Sequence, residues 1–236
     1  MKALILAAGR GERMRPLTDA TPKPLLMAGG RSLIEWQLEG LKSAGVHEVV
    51  INLAHLPEQF ECALGRGDRV GLSIRYSREG DRAEDALETL GGIVRALPHL
   101  GAAPFIVASG DIVTDFDYAS LSSAAAALGA GRLDAHLVLV PNPPFHPRGD
   151  MGLIDGHIAP DATEKLTYAN IGLFAPRLFA GLEPVRARLF PWLYAAARAG
   201  RVSGEIFGGR WYNVGTPDDL RRVDAELRAI PLRAGS

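Results

Sequence analysis

The sequence is poor in cysteine and has no long hydrophobic run. Cys62 is the single cysteine among 236 residues, which excludes an internal disulfide and a zinc site built from several cysteines. The N-terminal apolar run covers only residues 3–8, whereas a helix needs about 20 residues to cross a bilayer. Charged residues follow that run at once, which is not typical of a signal peptide. We therefore expect a cytoplasmic protein with no membrane partner.

The chain also lacks an excess of charge of either sign. Lys and Arg total 26 while Asp and Glu total 27, so the formal net charge is −1. A nucleic-acid binder needs a clustered basic surface that neutralises phosphates, so we expect no nucleic-acid partner. Hydrophobic residues make up 47% of the chain, which argues against disorder and allows a sizeable core. No feature indicates an obligate protein partner.

Short apolar segments alternate with helical patterns through the first 140 residues. The strand candidates are residues 3–8, 48–53, 72–76, 105–108 and 136–140, of which 72–76 alternates and is placed nearer an edge. The helix candidates begin at the capping box Ser32–Glu35 and at Pro57, or cover residues 90–97 and 121–128. This order predicts an α/β fold with a doubly wound, mostly parallel sheet covered on both faces.

Residues 141–236 are less regular. Residues 168–175 resemble a strand, and residues 185–199 resemble a helix that is followed by Gly200. Thr216, with Pro217 and two acids behind it, predicts another helix N-terminus. No linker or internal repeat divides the chain, so we expect a single domain.

A glycine-rich turn at residues 9–16 follows the first strand. At the carboxyl end of a parallel strand, such a turn offers backbone N–H groups to an anion, and Arg10, Arg13 and Arg15 add donors for phosphate. The dinucleotide-binding pattern does not fit, because Met14 stands where its third glycine belongs, and no P-loop Gly-Lys-Ser/Thr follows. By itself the segment is also compatible with a tight turn that carries surface arginines.

One lysine lies between two prolines in the segment Thr21-Pro22-Lys23-Pro24-Leu25. The two prolines restrict the backbone on both sides and prevent a helix from continuing. Lys23 is thereby presented from a stiff loop, which suits a point charge aimed at a phosphate. An ordinary surface turn fits this segment equally well when it is considered alone.

Taken together, these motifs resemble the signature of the sugar-phosphate nucleotidyltransferases. In chain order they are Gly9-x-Gly11-x-Arg13, then Pro22-Lys23-Pro24, then Ser109-Gly110-Asp111 after a buried strand, and finally Trp211-Tyr212-Asn213-Val214-Gly215-Thr216-Pro217. They occur in the order typical of the family and span essentially the whole chain. Residues 11–18, 87–92 and 148–150 are most similar to the branch of N-acetylmuramate 1-phosphate uridylyltransferases.

The resemblance implies a Rossmann-like nucleotidyltransferase fold. Residues 1–140 would form its nucleotide-binding part and residues 141–236 a smaller sugar-binding part. The implied reaction joins UTP and N-acetylmuramate 1-phosphate, with Mg²⁺ as cofactor, and releases pyrophosphate in peptidoglycan recycling of the cell wall. The second pKa of a phosphate monoester is about 6, so the attacking sugar phosphate is already ionised at pH 7 and needs no general base. Catalysis would therefore rest on positioning and charge neutralisation. Guanylyl transfer to mannose 1-phosphate and thymidylyl transfer to glucose 1-phosphate are the alternatives.

The resemblance also assigns site residues. Arg13 is implied to hold the leaving phosphates, and Lys23 is implied to bridge the α-phosphate and the sugar phosphate. The nucleotide is implied to contact Ala8, Gly9, Gly11, Glu12, Arg13, Lys23, Gly80 and Ser109. The sugar is implied to contact Glu88, Gly92, Asp150 and Asn170. The metal is implied to bind Asp111 and Asn213.

Two residues depart from the family pattern. Asn213 stands where the family commonly has a second metal-binding Asp, so we expect weaker metal binding; a structural Asn or an impaired enzyme are the alternatives. Ser109 stands where close relatives usually have Asn, which leaves the base selectivity open. Both departures also allow a non-catalytic nucleotide-sugar sensor. The polar residues 79–85 fit either a lid or a solvated connection.

Overall fold

The computed structural model describes residues 1–229. The strands are β1 (Lys2–Leu6), β2 (Met27–Ala28), β3 (Arg31–Ser32), β4 (Glu48–Leu53), β5 (Ser73–Arg78), β6 (Phe105–Ser109), β7 (Ile112–Thr114), β8 (Ala135–Val140), β9 (Gly152–Ile154), β10 (His157–Ala159), β11 (Thr167–Phe174), β12 (Val202–Ile206) and β13 (Trp211–Asn213). The α-helices are α1 (Leu17–Ala20), α2 (Leu33–Ser43), α3 (Pro57–Leu64), α4 (Glu88–Leu100), α5 (Ser122–Gly129), α6 (Tyr194–Arg198) and α7 (Pro217–Ala229).

Nine strands form one sheet in the order β5-β4-β1-β6-β11-β8-β12-β10-β9. β5, β4, β1 and β6 pair in parallel, and so do β8 and β12. β11 pairs antiparallel with β6 and β8, while β10 pairs antiparallel with β12 and β9. In this nine-stranded sheet, every strand except β10 and β11 therefore runs in one direction, which confirms the predicted mostly parallel α/β sheet. β5 lies at an edge of the sheet, as predicted.

The sheet is buried on both faces. Ala3 and Ile5 of β1 belong to one hydrophobic cluster, which contains Leu38 of α2. Leu4 between them belongs to a second cluster, which contains Ile93 of α4. All five side chains are fully buried, and successive strand residues point to opposite faces. This confirms the prediction that the first apolar run is a strand covered on both sides.

The predicted helix starts are largely confirmed. The Glu35 carboxylate accepts hydrogen bonds from the backbone N–H of Ser32 at 2.8 Å and from its hydroxyl at 2.7 Å, at the start of α2. α3 covers Pro57–Leu64, and α7 begins after Thr216, whose hydroxyl accepts from the Asp219 N–H at 3.2 Å. α4 is longer than predicted, at 13 residues. No helix within residues 1–229 is long and apolar enough to span a membrane.

The predicted helix over residues 185–199 is wrong for most of its length, because α6 covers only Tyr194–Arg198. Pro191 lacks an N–H group, and its ring would clash with a preceding helical turn. The residues before it dock on α4 instead. The Ala187 N–H donates to the Leu87 carbonyl at 3.0 Å, and the Leu90 N–H donates to the Ala187 carbonyl at 3.0 Å.

Candidate active site

Two adjoining cavities open at the carboxyl ends of the central strands. The first cavity has a volume of about 580 Å³ and the second about 500 Å³. Leu6, the last residue of β1, and Ser109, the last residue of β6, line both cavities, as do Glu88 and Thr89 at the start of α4. Open α/β sheets bind ligands outside the carboxyl ends of their strands, so the location matches the one expected for a ligand site.

Most of the predicted site residues line these cavities. The first cavity is lined by Ala8, Gly9, Gly11, Glu12, Lys23, Glu88, Ser109 and Asp111. The second cavity is lined by Arg13, Glu88, Ser109, Asp150, Asn170 and Asn213. Gly80 and Gly92 are not among the residues that line either one. Gly92 lies behind the first cavity, where an added Cβ atom would come within 2.5 Å of the Glu79 carboxylate.

The glycine turn and the proline-flanked lysine pack directly on each other. Gly11 has φ +69°, and an added Cβ atom would lie 3.1 Å from Lys23 Cβ and 3.2 Å from Thr18 Cγ2. The Thr18 hydroxyl donates to the Gly11 carbonyl at 3.0 Å. Glycine is therefore required at position 11 both for its backbone conformation and for the close approach of Lys23.

Lys23 is a buried cation that is paired with Asp111. It is 8% exposed, between Pro22 and Pro24, and its Nζ atom lies 2.5 Å from Asp111 Oδ2. Burial removes most of the water that would otherwise solvate the ammonium group, so the group needs an anion beside it. An incoming phosphate would offer a second anion at the same place.

The strand pair β7–β13 holds the two predicted metal ligands near each other. Asp111 immediately precedes β7, Asn213 is the last residue of β13, and the Val214 N–H donates to the Asp111 carbonyl at 3.2 Å. We call the place beside Asp111, Asn213 and Gly215 the corner of the site. Arg13 also lies there, because its Nη2 atom would be 3.3 Å from a Cβ atom added to Gly215.

The donors at this corner fit Mg²⁺ only if the substrates complete its coordination. Within residues 1–229, no group of three or more His, Cys, Asp or Glu side chains is arranged to hold a metal ion. One carboxylate, from Asp111, and one amide oxygen, from Asn213, are the available protein donors that the motifs single out. Mg²⁺ commonly takes one or two protein oxygens and fills its other positions with phosphate oxygens and water.

A buried polar network, which the sequence motifs do not include, forms the back of the first cavity. Asn52 Oδ1 accepts from the Ala7 N–H at 2.6 Å, and Asn52 Nδ2 donates to Glu79 Oε1 at 2.6 Å. Glu79 Oε2 accepts from the Leu87 N–H at 2.6 Å. Burial raises the pKa of Glu79, against the opposing effect of these hydrogen bonds. Asn52 is polar within the otherwise apolar run 49–53, which is the signal that was available in the sequence.

Two predicted sugar contacts have unusual backbone conformations. Glu88 has φ +60° and Asn170 has φ +56°, and both line the second cavity. Asn170 lies where the register between β8 and β11 shifts, between Tyr168 and Gly172. Positive φ is costly for a residue with a Cβ atom, and such residues cluster at functional sites. Asn tolerates this conformation better than Glu does.

Asp150 lines the second cavity, but its carboxylate already has partners within the protein. Oδ1 lies 3.0 Å from His146 Nε2, and Oδ2 accepts from the Tyr168 N–H at 2.8 Å. The carboxylate therefore connects the loop that precedes β9 to β11. A sugar hydroxyl would share these oxygens with His146 and the Tyr168 backbone.

The polar segment 79–85 is tied by its own hydrogen bonds. The Asp85 carboxylate accepts from the N–H groups of Asp81 at 3.1 Å and Arg82 at 3.0 Å. Ala83 and Glu84 line the first cavity. The segment thus borders the site, and its movement as a lid stays a prediction.

Known proteins of one enzyme family are similar to this chain. The model of the nucleotidyl transferase family matches residues 2–154. An N-acetylmuramate alpha-1-phosphate uridylyltransferase of Neisseria meningitidis is 47% identical over 95% of this chain and 97% of its own length. The enzyme of the same name from Caulobacter vibrioides is 35% identical over 95% of this chain and 96% of its own length.

A solved structure has the same fold at low sequence identity. A Bacillus anthracis protein assigned as a glucose-1-phosphate thymidylyltransferase superimposes with a TM-score of 0.83. It covers 98% of this chain, and 96% of its own chain is matched, at 20% identity. At that identity the similarity shows a shared fold.

Proposed function

The chain belongs to the nucleotidyl transferase family and is a sugar-1-phosphate nucleotidyltransferase, and from this premise we propose that it uridylylates N-acetylmuramate 1-phosphate. UTP is the proposed donor, and the products are UDP-N-acetylmuramate and pyrophosphate. The support for this substrate pair is the identity of 47% and 35% to two proteins that carry the corresponding name. We place the reaction in peptidoglycan recycling in the cytoplasm.

The observation that carries the reaction is the buried Lys23 ammonium at the wall of the first cavity. In the proposed reaction a sugar-phosphate oxygen attacks the α-phosphorus of UTP. The bond from that phosphorus to the bridging oxygen breaks, and pyrophosphate leaves with the electron pair. Both reactants are anions, so their mutual repulsion is the obstacle. Lys23 is proposed to lower this repulsion, because its ammonium group, held between two prolines and beside Asp111, adds a positive charge at the cavity wall.

Arg13 is proposed to take the leaving pyrophosphate, because it lies against Gly215 in the corner that also holds Asn213. Arginine offers several donors in a fixed plane, which suits phosphate oxygens. The backbone of residues 8–11 is proposed to bind the remaining nucleotide phosphates, since these residues line the first cavity after β1. The base is proposed to lie toward Ser109, which lines both cavities, whereas the cavity linings give no support for the predicted contact with Gly80.

Asp111 and Asn213 would hold Mg²⁺, which would supply positive charge to the phosphates. The Lys23 ammonium now contacts one Asp111 oxygen and leaves the other for a metal ion. Asn213 contributes an amide oxygen without a full negative charge, so binding of the ion would depend more on the nucleotide.

Pyrophosphate release tests this function directly. Purified protein is assayed with Mg²⁺ and each of the four nucleoside triphosphates, against N-acetylmuramate 1-phosphate and N-acetylglucosamine 1-phosphate in parallel. We expect release with UTP and the muramate. Release only with another sugar or base would reject the proposed substrates and keep the reaction class. Nucleotide binding without turnover would favour the sensor alternative.

Two alanine variants, one at Lys23 and one at a control lysine, test the role of Lys23. Lys23→Ala is expected to lower kcat by roughly 100- to 1000-fold, as the loss of a transition-state donor does. Lys42→Ala removes an exposed lysine from α2 and is expected to stay within about twofold of the unmodified protein. Equal activity of the two variants would contradict the role of Lys23.

A further inference from the structure

Two arginines that are separated by one residue line different cavities. Arg186 lines the first cavity and Arg188 lines the second. Ala187 between them is bound to α4 through its N–H and its carbonyl, to Leu87 and Leu90 respectively. The Arg186 guanidinium lies 3.5 Å from the carboxylate of Glu88, the first residue of α4, so this segment borders the site.

The segment is held close to α4 by a glycine. A Cβ atom added to Gly91 would lie 2.2 Å from the Val185 carbonyl oxygen, so no larger residue fits there without a shift. On the other side of Arg188, Leu189 is 3% exposed and the Phe190 ring packs on Tyr168 with centroids 5.5 Å apart. Arg188 is therefore an exposed side chain on a backbone anchored at both ends.

The charges of the second cavity do not balance. Arg13 lies at the Gly215 corner, and His146 is paired with Asp150 at 3.0 Å. The remaining carboxylate, Glu88, is paired with Arg186 at 3.5 Å. Within residues 1–229, Arg188 has no carboxylate at ion-pair distance. Among the described residues, the cavity thus presents two arginines, Arg13 and Arg188, that no carboxylate neutralises. Arg13 is already proposed to bind phosphate, which leaves Arg188 for a second anionic group.

We propose that Arg188 binds the lactyl carboxylate of the sugar and selects N-acetylmuramate 1-phosphate over N-acetylglucosamine 1-phosphate. This inference rests on the proposed function, since the two sugars differ only by that lactyl ether. The guanidinium group can bind both oxygens of a carboxylate through two parallel hydrogen bonds. The phosphate end of the same sugar would then reach toward Lys23, so that the substrate is held by cations at both ends.

The magnitude follows from the exposure of Arg188. Hydrogen bonds to a charged group contribute enough to change affinity by roughly 10- to 100-fold, and water around an exposed side chain reduces the effect toward the lower value. N-acetylglucosamine 1-phosphate has no carboxylate, so its turnover is independent of the arginine. The ratio of kcat/KM for the two sugars is the sensitive quantity.

The experiment compares this ratio in the full-length protein and three variants. Arg188→Gln is expected to lower kcat/KM for the muramate by about tenfold or more, mainly through KM, and to leave the other sugar within about threefold. Arg188→Lys keeps the charge and is expected to restore part of the ratio. Arg132→Gln removes an exposed arginine just before β8, at the amino end of that strand. It is the charge-matched control, and its ratio is expected to stay unchanged.

The outcomes separate this inference from the proposed function. A ratio that stays unchanged in Arg188→Gln, while the unmodified protein prefers the muramate, overturns the role of Arg188 and leaves the function standing. If the unmodified protein does not use the muramate, the function fails, and calorimetry with N-acetylmuramate 1-phosphate alone decides the subsite. Binding that Arg188→Gln weakens supports a carboxylate subsite, and equal or absent binding rejects it.

Discussion

Replacing Gly91 with alanine tests whether the segment of Arg186 and Arg188 is held by its packing on α4. In an unhindered helix, alanine is more favourable than glycine by about 1 kcal/mol. At position 91 the new Cβ atom would meet the Val185 carbonyl oxygen at 2.2 Å and Leu87 Cβ at 2.8 Å. The Val185 oxygen belongs to the backbone, so it cannot turn aside as the end of a flexible side chain would.

The size of the effect follows from these contacts. Ordinary van der Waals contact begins at 3.4 Å, so the Val185 carbonyl must retreat by 3.4 − 2.2 = 1.2 Å. That movement stretches the two hydrogen bonds of Ala187, each of which contributes about 1 kcal/mol, and overpacking typically costs about 1–3 kcal/mol. After the gain in helix propensity, we expect Gly91→Ala to lower the free energy of unfolding by about 2–4 kcal/mol.

The assay pairs stability with selectivity. Urea unfolding followed by tryptophan fluorescence gives the free energy, and pyrophosphate release gives kcat/KM for the two sugars. Gly129→Ala is the matched control, because Gly129 ends α5 and nothing lies within 4 Å of an added Cβ atom. The control is expected to be neutral or up to about 1 kcal/mol more stable, with unchanged selectivity.

The two measurements are expected to change together in Gly91→Ala, because the shifted segment carries Arg188. If Gly91→Ala proves as stable as Gly129→Ala, the segment does not press on α4. If it is less stable but keeps its preference for the muramate, the displacement does not reach Arg188.

Three further predictions concern other parts of the molecule. Asn213→Asp is expected to lower the Mg²⁺ concentration needed for half-maximal activity, and an unchanged Mg²⁺ titration would remove Asn213 from the metal site. Hydrogen bonds from Arg201 lower the pKa of Asp134, so this pair stabilises the fold above the ordinary carboxyl pKa and is lost as the pH falls below about 4. Asp134→Asn should therefore have a lower urea midpoint than the unmodified protein at pH 7, and the difference should shrink as the pH falls below about 4. Tyr118→Phe leaves the buried Gln37 Oε1 without its donor and should cost about 1–2 kcal/mol in urea unfolding, whereas no loss would mean that water replaces the hydroxyl.

The local elements follow from short stretches of sequence. The apolar run before Gly9 can bury both faces only as an inner strand. The capping box of Ser32 and Glu35 marks the start of one helix, and Pro57 and Gly65 mark the start and end of another. The glycine turn and Lys23 are recognisable for the same reason: their chemistry is contained in a few consecutive residues. The placement of these motifs around the two cavities agrees with the predicted site, while the role of each residue stays a prediction.

The way in which distant segments meet could not be predicted from local patterns. β11 inserts antiparallel between β6 and β8, which no local pattern specifies, because strand pairing depends on residues far apart in the chain. Residues 185–199 show helical periodicity, yet Pro191 and the docking of Ala187 on α4 keep most of them irregular or in turns. That docking brings Arg188 into the second cavity, because the hydrogen bonds and the close approach at Gly91 outweigh a weak local preference for helix.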